Sequence, residues 1–359
     1  MSDSRSIVLE EIFTPPAEAC CTEIAEYLAG FVLAGNLANP LPGDDQADAW
    51  NRRLNWWWHD NPFVGTSSGE CLAYLMRDAE TGNLVGFHGF IPFGYEADGQ
   101  PVPTLIATTF FVDEPYRGHS MKIFMKLNKL GRSFQILDGT PSPEMREILD
   151  RFNYENRAEI ERYNIVVKQP SLLKKGKSAL LRLCGIGRPL PGPLSGSCPG
   201  TRVINDPALI RSIPERTGRG LVRSVTPEGL NWMTNSGHGE RCFFGLIDSI
   251  SGQLRAFAIG LMKSAKGVTA CRMLEYGAFD DDDSALLALL AKVAHQPGEC
   301  GLPANVDLLL WSVFEGAVKA KPASLKPEIR ESTLYFKLPD QWKDRPKACL
   351  PCEGDLVLL

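Results

Sequence analysis

The distribution of apolar residues predicts a strand–turn–strand unit that occurs twice. Within residues 71–93, the apolar segments CLAYLMRD and LVGFHGFIPF flank a polar turn that contains Gly82. Within residues 241–261, two similar segments flank Gly252. Short apolar runs joined by a glycine-containing turn are typical of antiparallel strand pairs. We therefore predict one β-hairpin in each half of the chain.

The two hairpins also share residues, which indicates an internal duplication. Leu54-Asn55-Trp56 recurs as Leu230-Asn231-Trp232, and the stretches that follow align without a gap from one glycine onwards. The matched residues in those stretches are Gly69 and Gly239, Glu70 and Glu240, Asp78 and Asp248, Gly82 and Gly252, Leu84 and Leu254, and Phe87 and Phe257. An ungapped match that keeps the turn residues favours duplication over chance. We expect the two units to occupy residues 1–190 and 191–359.

The first unit continues with alternating strands and helices. TLIATTFFV (104–112) is rich in β-branched and aromatic residues, and FQILDG (134–139) predicts a shorter buried strand. Between them, SMKIFMKLNKLGR (120–132) intersperses apolar residues with lysines, which predicts an amphipathic helix. Pro143 suits the start of another helix, and Asn153 suits the left-handed position after its end. The predicted order is strand, loop, helix, strand, helix.

The loop that joins the first of these strands to the first helix carries residues that suit a phosphate. Backbone N–H groups at a helix N-terminus point towards an anion, and the helix dipole favours negative charge there. In the segment PYRGHSMK, Gly118 permits a close approach of the backbone, and Arg117 adds a positive charge. The same pattern also fits a strand-to-helix turn that binds no ligand.

These segments resemble the GNAT superfamily of acyl-CoA-dependent N-acyltransferases over about residues 50–168. The pyrophosphate loop of that family has the pattern Arg/Gln-x-x-Gly-x-Gly/Ala. Arg117 stands at its first position here, Ser120 at its first small position, and Lys122 departs from its last. A later signature of the family, kLGF, corresponds to Arg151-Phe152-Asn153-Tyr154.

The resemblance implies an α/β fold in which a mixed, mostly antiparallel sheet is flanked by helices, in two tandem GNAT-like units. The first unit would bind acyl-CoA, with no metal, and the second would be a degenerate copy that packs on it. The second unit has four aspartates, residues 280–283, where the first has its basic loop. The residues that the resemblance places at the cofactor are Phe111, Val112, Arg117, Gly118, His119, Ser120, Met121 and Lys122.

The catalytic residues of the family are only partly matched. Its acidic base on the fourth strand is missing, because Ala107, Thr108 and Thr109 stand there. His88, on the neighbouring strand, has a suitable ordinary pKa of about 6.5, although a structural histidine would fit the same place. Tyr154 is the candidate proton donor to the leaving thiolate. In this family a backbone N–H where the fourth strand splays binds the oxyanion, which here would lie near Phe111 and Val112.

Composition and charge narrow the possible functions. The net charge is −5 and the pI is about 5.7, which argues against a nucleic-acid binder. The N-terminus shows no signal peptide, and no apolar run reaches the ~20 residues that span a bilayer, so we expect a cytoplasmic protein. The ten cysteines, including Cys349 and Cys352, show no spacing of a four-ligand zinc site. We expect them to be reduced thiols.

One segment carries strong positive charge in this acidic chain. Residues 163–205 contain no Asp or Glu, and leucines are interleaved with lysines and arginines in residues 171–188. This pattern fits either an inter-domain linker or a basic amphipathic segment that contacts an anionic membrane. The membrane interpretation favours a long-chain lipid amine as acceptor, as in bacterial ceramide synthases that resemble GNAT enzymes. An amino sugar of a surface polysaccharide and a non-catalytic acyl-CoA-binding role are the alternatives.

Overall fold

The computed structural model contains two β-sheets flanked by helices. It describes residues 6–36, 43–139, 141–156, 159–167, 180, 183, 198–215, 221–236, 239–265, 267–280, 283–314, 321, 325–331 and 334–342. The helices are α1 (Glu18–Leu33), α2 (Ala47–Leu54), α3 (Ser120–Leu130), α4 (Pro143–Arg151), α5 (Pro227–Thr234) and α6 (Ser284–His295). A π-helical turn covers Asn55–His59, and 3-10 turns cover Glu114–His119, Pro207–Leu209 and Asp340–Trp342.

The strands divide between the sheets in a repeated order. They are β1 (Ile7–Ile12), β2 (Ala73–Asp78), β3 (Leu84–Ala97), β4 (Gln100–Val112), β5 (Gln135–Asp138), β6 (Glu155–Asn156), β7 (Glu159–Val166), β8 (Thr201–Ile204), β9 (Leu221–Arg223), β10 (Arg241–Asp248), β11 (Leu254–Ala265), β12 (Val268–Ala278), β13 (Leu308–Phe314), β14 (Glu328–Glu331) and β15 (Tyr335–Lys337). The first sheet has the order β1-β2-β3-β4-β5-β15-β6, with β9 on β3, and the second has β14-β7-β13-β12-β11-β10-β8.

The two sheets match strand for strand. In the first, β2, β3 and β4 are antiparallel neighbours and β5 pairs parallel with β4. In the second, β10, β11 and β12 are antiparallel neighbours and β13 pairs parallel with β12. This arrangement confirms the predicted α/β class, with mixed and mostly antiparallel sheets flanked by helices in two similar units. It also confirms both predicted hairpins, which are β2–β3 and β10–β11.

The two sheets exchange a strand. β7, which precedes residue 190, pairs with β13 in the second sheet. β15, near the end of the chain, pairs with β5 and β6 in the first. Each sheet is therefore completed by the other half of the chain. The division at residues 190 and 191 stays a prediction for the sequence repeat.

The repeated Leu-Asn-Trp segments meet each other at the centre of the molecule. The indoles of Trp56 and Trp232 stack with 4.6 Å between ring centroids and 18° between planes. Trp56 Nε1 donates to the Trp232 carbonyl at 2.9 Å, and Trp232 Nε1 donates to the Trp56 carbonyl at 2.7 Å. Both side chains are buried. The reciprocal contact is what a pseudo-twofold relation between the two copies would produce.

The hairpin turns are also the same in both copies. Asp78 Oδ1 accepts from the backbone N–H of Glu80 at 3.0 Å and of Thr81 at 2.8 Å. Asp248 Oδ1 accepts from Ile250 and Ser251 at the same two distances. Gly82 and Gly252 follow with φ of 74° and 71°, a left-handed conformation that glycine adopts without strain. The conserved turn chemistry explains why these positions match in sequence.

The helices of the first half lie where the sequence predicts them. α3 buries Ile123, Phe124 and Leu127 against the sheet. α4 starts at Pro143, after the Ser142 hydroxyl has capped the N–H of Met145 at 3.2 Å, and Asn153 follows with φ of 55°. The segment before α3 differs from the prediction. We expected an open loop, but residues 114–119 form a 3-10 helix that runs directly into α3.

Candidate active site

The candidate site lies where β4 loses its neighbour. β4 and β5 pair in parallel from Thr104 with Gln135 to Ala107 with Asp138. β5 ends at Asp138, whereas β4 continues for five residues to Val112. Over this last stretch no described strand pairs with the outer edge of β4. An unpaired strand edge presents N–H and C=O groups that can bind an extended ligand.

A β-bulge marks the same stretch. β4 shifts its register against β3 between His88 and Gly89, which leaves Thr109 as the extra residue. Thr109 has φ of 50°, in the left-handed region. For a β-branched residue this conformation is an outlier, and such strain costs about 1–3 kcal/mol. Strain of this kind is concentrated at functional sites, so the bulge is the strongest local indication of one.

Two backbone N–H groups point to the open edge. The N–H of Asp113 donates to the Val85 carbonyl on β3 at 3.0 Å. Because successive N–H groups of a strand point to opposite edges, those of Val112 and Phe110 face away from β3. They lie on the side where β5 has ended. This geometry fits the predicted oxyanion donor near Phe111 and Val112, with Val112 as the residue whose N–H is directed there.

The two side chains at the end of β4 point to opposite faces. Phe111 packs towards α1, where its ring stacks on Phe31 at 4.3 Å between centroids. Val112 belongs to the apolar cluster under α3 and α4, with Tyr116 and Phe124. Both side chains are buried, so only their backbone groups are available to a ligand.

The basic segment after β4 lies at the surface and is firmly anchored. Tyr116 Oη donates to Asp78 Oδ2 at 2.6 Å, which ties this segment to the β2–β3 turn. The N–H of Ser120 bonds to the Arg117 carbonyl, so this amide is engaged within the helical segment. The exposed residues are Arg117, Gly118, Met121 and Lys122, and the half-buried ones are His119 and Ser120. A Cβ placed on Gly118 would meet no atom within 4 Å. The segment therefore offers open, positively charged surface.

His88 lies inside the apolar layer below α3. Its ring makes edge contacts with Phe90 at 4.7 Å and with Phe110 at 5.1 Å. Burial lowers the pKa of His88 to about 3, and the nearby Thr108 backbone opposes this only in part. Neither ring nitrogen makes a hydrogen bond of good geometry with a described residue. His88 is thus a neutral, buried imidazole at neutral pH.

Tyr154 lies on the same face, beside the end of β5. Its hydroxyl is buried and has no hydrogen-bond partner among the described residues. Burial, with a smaller contribution from the Asp138 carboxylate, raises the pKa of Tyr154. Lys337 Nζ lies 5.3 Å from the centre of its ring and donates to the Phe152 carbonyl at 2.9 Å. A residue of the exchanged strand β15 therefore borders this candidate.

The structure groups the predicted residues into two sets. His88 and Tyr154 lie buried in the sheet layer, whereas residues 117–122 lie at the surface, in the 3-10 segment and the first turn of α3. Sequence reasoning missed Thr109, Asp138 and Lys337. Thr109 gave no sequence signal for its strain, but a lone acidic residue after the apolar run FQIL marks Asp138 as the end of a strand. Lys337 could not be found, since only the strand exchange brings it here.

Two cavities lie at the other end of β4, where the halves meet. One has a volume of about 640 Å³ and is lined by Phe63, Phe93, Val102, Phe134 and Thr226, among others. The other, of about 490 Å³, is lined by Glu96, Asp98, Glu215, Arg223 and Phe279, among others. Neither cavity is lined by a residue that the sequence placed at the donor or in catalysis.

Other sequence predictions concern metals and membranes. No three His, Cys, Asp or Glu side chains of the described ranges are grouped as metal ligands, and Cys349 and Cys352 lie outside those ranges. No described helix is long and apolar enough to cross a membrane. Of the basic segment 171–188, only Leu180 and Leu183 are among the described residues, and both are exposed. The rest of that segment lies outside them, and membrane contact stays a prediction.

Comparison with known proteins identifies the fold. No protein-family model matches the chain, and no curated protein matches its sequence. A GCN5-related N-acetyltransferase from Kribbella flavida superposes with a TM-score of 0.50 at 12% identity, over 94% of this chain and 72% of that one. This likeness shows that the chain has the GCN5-related N-acetyltransferase fold.

Two further solved structures are similar at lower scores. A probable N-acyltransferase from Enterococcus faecalis gives a TM-score of 0.48 at 12% identity, covering 92% of this chain and 72% of that one. The N-myristoyltransferase of Saccharomyces cerevisiae, solved with bound myristoyl-CoA, gives 0.46 at 13% identity, covering 97% and 85%. Scores at this level add no argument to the assignment of the fold.

Proposed function

We propose that the protein is an acyl-CoA-dependent N-acyltransferase whose donor site lies in the first half of the chain. The observation that carries the proposal is the open edge of β4, with its strained bulge at Thr109, next to the basic start of α3. An extended pantetheine arm can pair with such an edge, and the thioester would then lie beside the N–H of Val112, which points to the open edge.

The donor's phosphates would lie on the exposed start of α3. Arg117 and Lys122 supply positive charge there, and Gly118 leaves space for a close approach of the phosphate. The amides of residues 118–121 are the predicted partners, although that of Ser120 already bonds to Arg117. We therefore assign more of the phosphate binding to the Arg117 side chain. A charge-assisted hydrogen bond of this type contributes about 1.5–3 kcal/mol.

The reaction joins the acceptor nitrogen to the acyl carbon and expels the CoA thiolate. An alkylamine has a pKa of about 10 and must lose a proton before it attacks. His88, the predicted base, would be a weak one with a pKa of about 3, because proton transfer is best served by a pKa near the working pH. Asp138, at the point where β4 and β5 part, is a second candidate acceptor, directly or through water.

Tyr154 remains the candidate proton donor to the thiolate. Its hydroxyl keeps its proton at neutral pH because burial and the Asp138 carboxylate raise its pKa. The same shift makes the hydroxyl a weaker acid towards the thiolate, because proton transfer is best served by a pKa near the working pH. Tyr154→Phe is expected to lower kcat while donor affinity stays unchanged.

The acceptor is a primary amine, for which two classes remain. A long-chain lipid amine, such as a sphingoid base, is our first proposal, and an amino sugar is the alternative. The basic, leucine-rich composition of residues 171–188 is what supports the lipid amine, through the membrane contact that it predicts. A non-catalytic acyl-CoA-binding role is a further candidate, favoured by the absence of a carboxylate at residues 107–109 of β4.

One experiment tests the proposal and separates it from mere binding. The protein is incubated with acyl-CoA and a panel of lipid amines and amino sugars, and free thiol is measured alongside CoA affinity by calorimetry. We expect one CoA per chain and amine-dependent thiol release. Arg117→Ala should weaken CoA binding about 10- to 100-fold.

Arg255→Ala is the matched control, since Arg255 is an exposed arginine on β11 of the second half. It should leave CoA affinity unchanged. Binding without any amine-dependent thiol release would favour the non-catalytic role. Equal affinity of the wild type and Arg117→Ala, or two sites per chain, would refute the placement of the donor.

A further inference from the structure

The outward face of α3 has a composition that CoA binding does not explain. Four exposed residues lie along it or just past its end, namely Met125, Lys126, Lys129 and Arg132. They follow the exposed residues Met121 and Lys122 at helical spacing, so they continue the same face. The opposite face is buried in the sheet layer through Ile123, Phe124 and Leu127. Below, the α3 outer face means Met125, Lys126, Lys129 and Arg132.

This face lies beyond the reach of the pyrophosphate. A helix rises 1.5 Å per residue, so Lys129 is about 13 Å along the axis from Ser120. Anion binding at a helix N-terminus is confined to the first turn. Met125 is 66% exposed and offers an apolar contact that a phosphate does not use. The face therefore fits a ligand larger than a phosphate group.

The charge of the face is unusual for this chain. Between Glu114 and Asp138 there are five lysines and arginines and no acidic residue, whereas the whole chain has a net charge of −5. Lys126 is bonded to Glu11 at 2.5 Å. Lys129 and Arg132 form no ion pair with any carboxylate of the described residues. Two such cations beside an exposed methionine favour an acidic protein surface as partner.

We propose that the α3 outer face docks an acidic carrier protein that delivers the acyl group on a phosphopantetheine arm. Such a carrier presents the same thioester and arm as CoA, so the arm could enter the β4 edge next to the face. The reaction is unchanged: the bond from the acyl carbon to the carrier's sulfur breaks as its bond to the amine nitrogen forms, and the leaving thiolate takes up the proton that the amine loses. This inference rests on the acyltransferase function proposed above.

The composition of the face favours a protein over a membrane. Helices that lie on a membrane insert Trp, Phe or Leu into the bilayer. In α3 the residues of that kind are Phe124 and Leu127, which are buried against the sheet, and Leu130, which is half-buried against the same apolar cluster. The exposed large apolar residues of α3 are Met121 and Met125, and the flexible side chain of methionine adapts to protein surfaces. Anionic vesicles are therefore the comparison that the experiment must contain.

The test compares two donors in two charge-reversal variants. Lys129→Glu with Arg132→Glu changes the α3 outer face, and Arg255→Glu with Lys263→Glu makes the same change in charge at exposed positions of β11. Transfer is measured with acyl-CoA and with a purified acidic acyl carrier protein that bears the same acyl chain. Binding of the carrier protein and of vesicles containing an anionic phospholipid is measured separately.

The variant with Lys129→Glu and Arg132→Glu should lower kcat/KM for the acyl-loaded carrier protein roughly 10-fold or more. This loss should become smaller at high salt. The kcat/KM of this variant for acyl-CoA should stay within about twofold of the wild-type value. The control variant on β11 should change kcat/KM for neither donor. Equal losses in both variants, no difference between the donors, or binding to vesicles and not to the carrier would overturn the inference.

The binding measurement keeps the inference distinct from the proposed function. If neither donor supports transfer, the acyltransferase proposal fails, and carrier binding still decides whether the face docks an acidic protein. Saturable carrier binding that only the α3 variant loses would support docking. No binding to the wild type would refute it whatever the turnover.

Discussion

The two sheets share one scaffold and differ at the end of the third strand of each repeat. After β4, a basic 3-10 segment leads into α3, which leaves one face exposed. After β12, Asp280 accepts from Ser284 Oγ at 2.8 Å and from the N–H of Ala285 at 2.9 Å. The helix N-terminus that would bind an anion is thus already occupied by a carboxylate in the second half.

The helices that follow these two strands, α3 and α6, also differ in how much of their surface is buried. α6 is apolar almost throughout and buries nine of its twelve residues, whereas α3 carries lysines on its outward side. A helix that is apolar on all sides is a core element, and an amphipathic one has a surface to offer. Turn residues and the central tryptophans occur in both copies, whereas the basic segment after the third strand occurs in one. The comparison indicates that the second half stabilises and completes the first.

The largest expected effect concerns the stacked pair of Trp56 and Trp232, to which each repeat contributes one indole. Trp56→Ala and Trp232→Ala should each destabilise the fold by about 3–5 kcal/mol, because each removes a buried indole and a hydrogen bond. Since the two rings contact each other, the double variant should lose less than the sum, by about 0.5–3 kcal/mol. Urea denaturation of the four proteins measures this. Additive losses would show that the stacked pair is not one energetic unit.

The second prediction compares the two bulges. Leu274 is the extra residue between Met273 and Glu275 on β12, and its side chain is buried. Leu274→Ala should cost about 2–5 kcal/mol, as for other buried leucines. Thr109→Gly should cost nothing or stabilise by up to about 1 kcal/mol, since glycine relieves the left-handed strain. A large loss on Thr109→Gly would mean that the threonine side chain, through its contact with Thr108, holds the bulge.

The hairpins, α3, α4 and the duplication were predictable from the sequence because they depend on local patterns. Asp78 and Asp248 with their glycines specify their turns by short-range hydrogen bonds, and α3 follows from spacing alone. The strand exchange could not be predicted, since β7 and β15 pair with strands that are far away in sequence. The burial of His88 was missed for the same reason. Gly86 and Gly89 flank His88 in the sequence, but Gly89 lies against the ring of Phe87, and Phe90 and Phe110 enclose the imidazole.

The third prediction concerns His88, whose matched position in the repeat is Ala258. Its pKa is about 3 in the folded state against an ordinary 6.5, so the unfolded chain binds the extra proton between these values. Stability is therefore lost as pH falls below 6.5, with a slope of up to about 1.4 kcal/mol per pH unit from this group. His88→Gln should flatten that dependence between pH 6.5 and 4.5. Parallel curves for the two proteins would place the imidazole in contact with water.

The smallest expected effect concerns Glu70 and its counterpart Glu240. Glu70 is buried and accepts from the N–H of Gly65 at 2.6 Å, and burial raises its pKa from 4.5 to about 7. Here the folded state binds the extra proton, so stability falls as pH rises from 4.5 to 7, the opposite sign to His88. Glu70→Gln should therefore gain stability relative to the wild type as the pH is raised through that window.

Glu240→Gln is the matched control, because Glu240 occupies the same place in the repeat but is exposed. It should change the pH dependence of stability little. Thermal melts of the three proteins at pH 5 and pH 8 measure the difference. A Glu70→Gln variant that gains nothing at pH 8 would show that the bond from Gly65 fully offsets the cost of burying the charge.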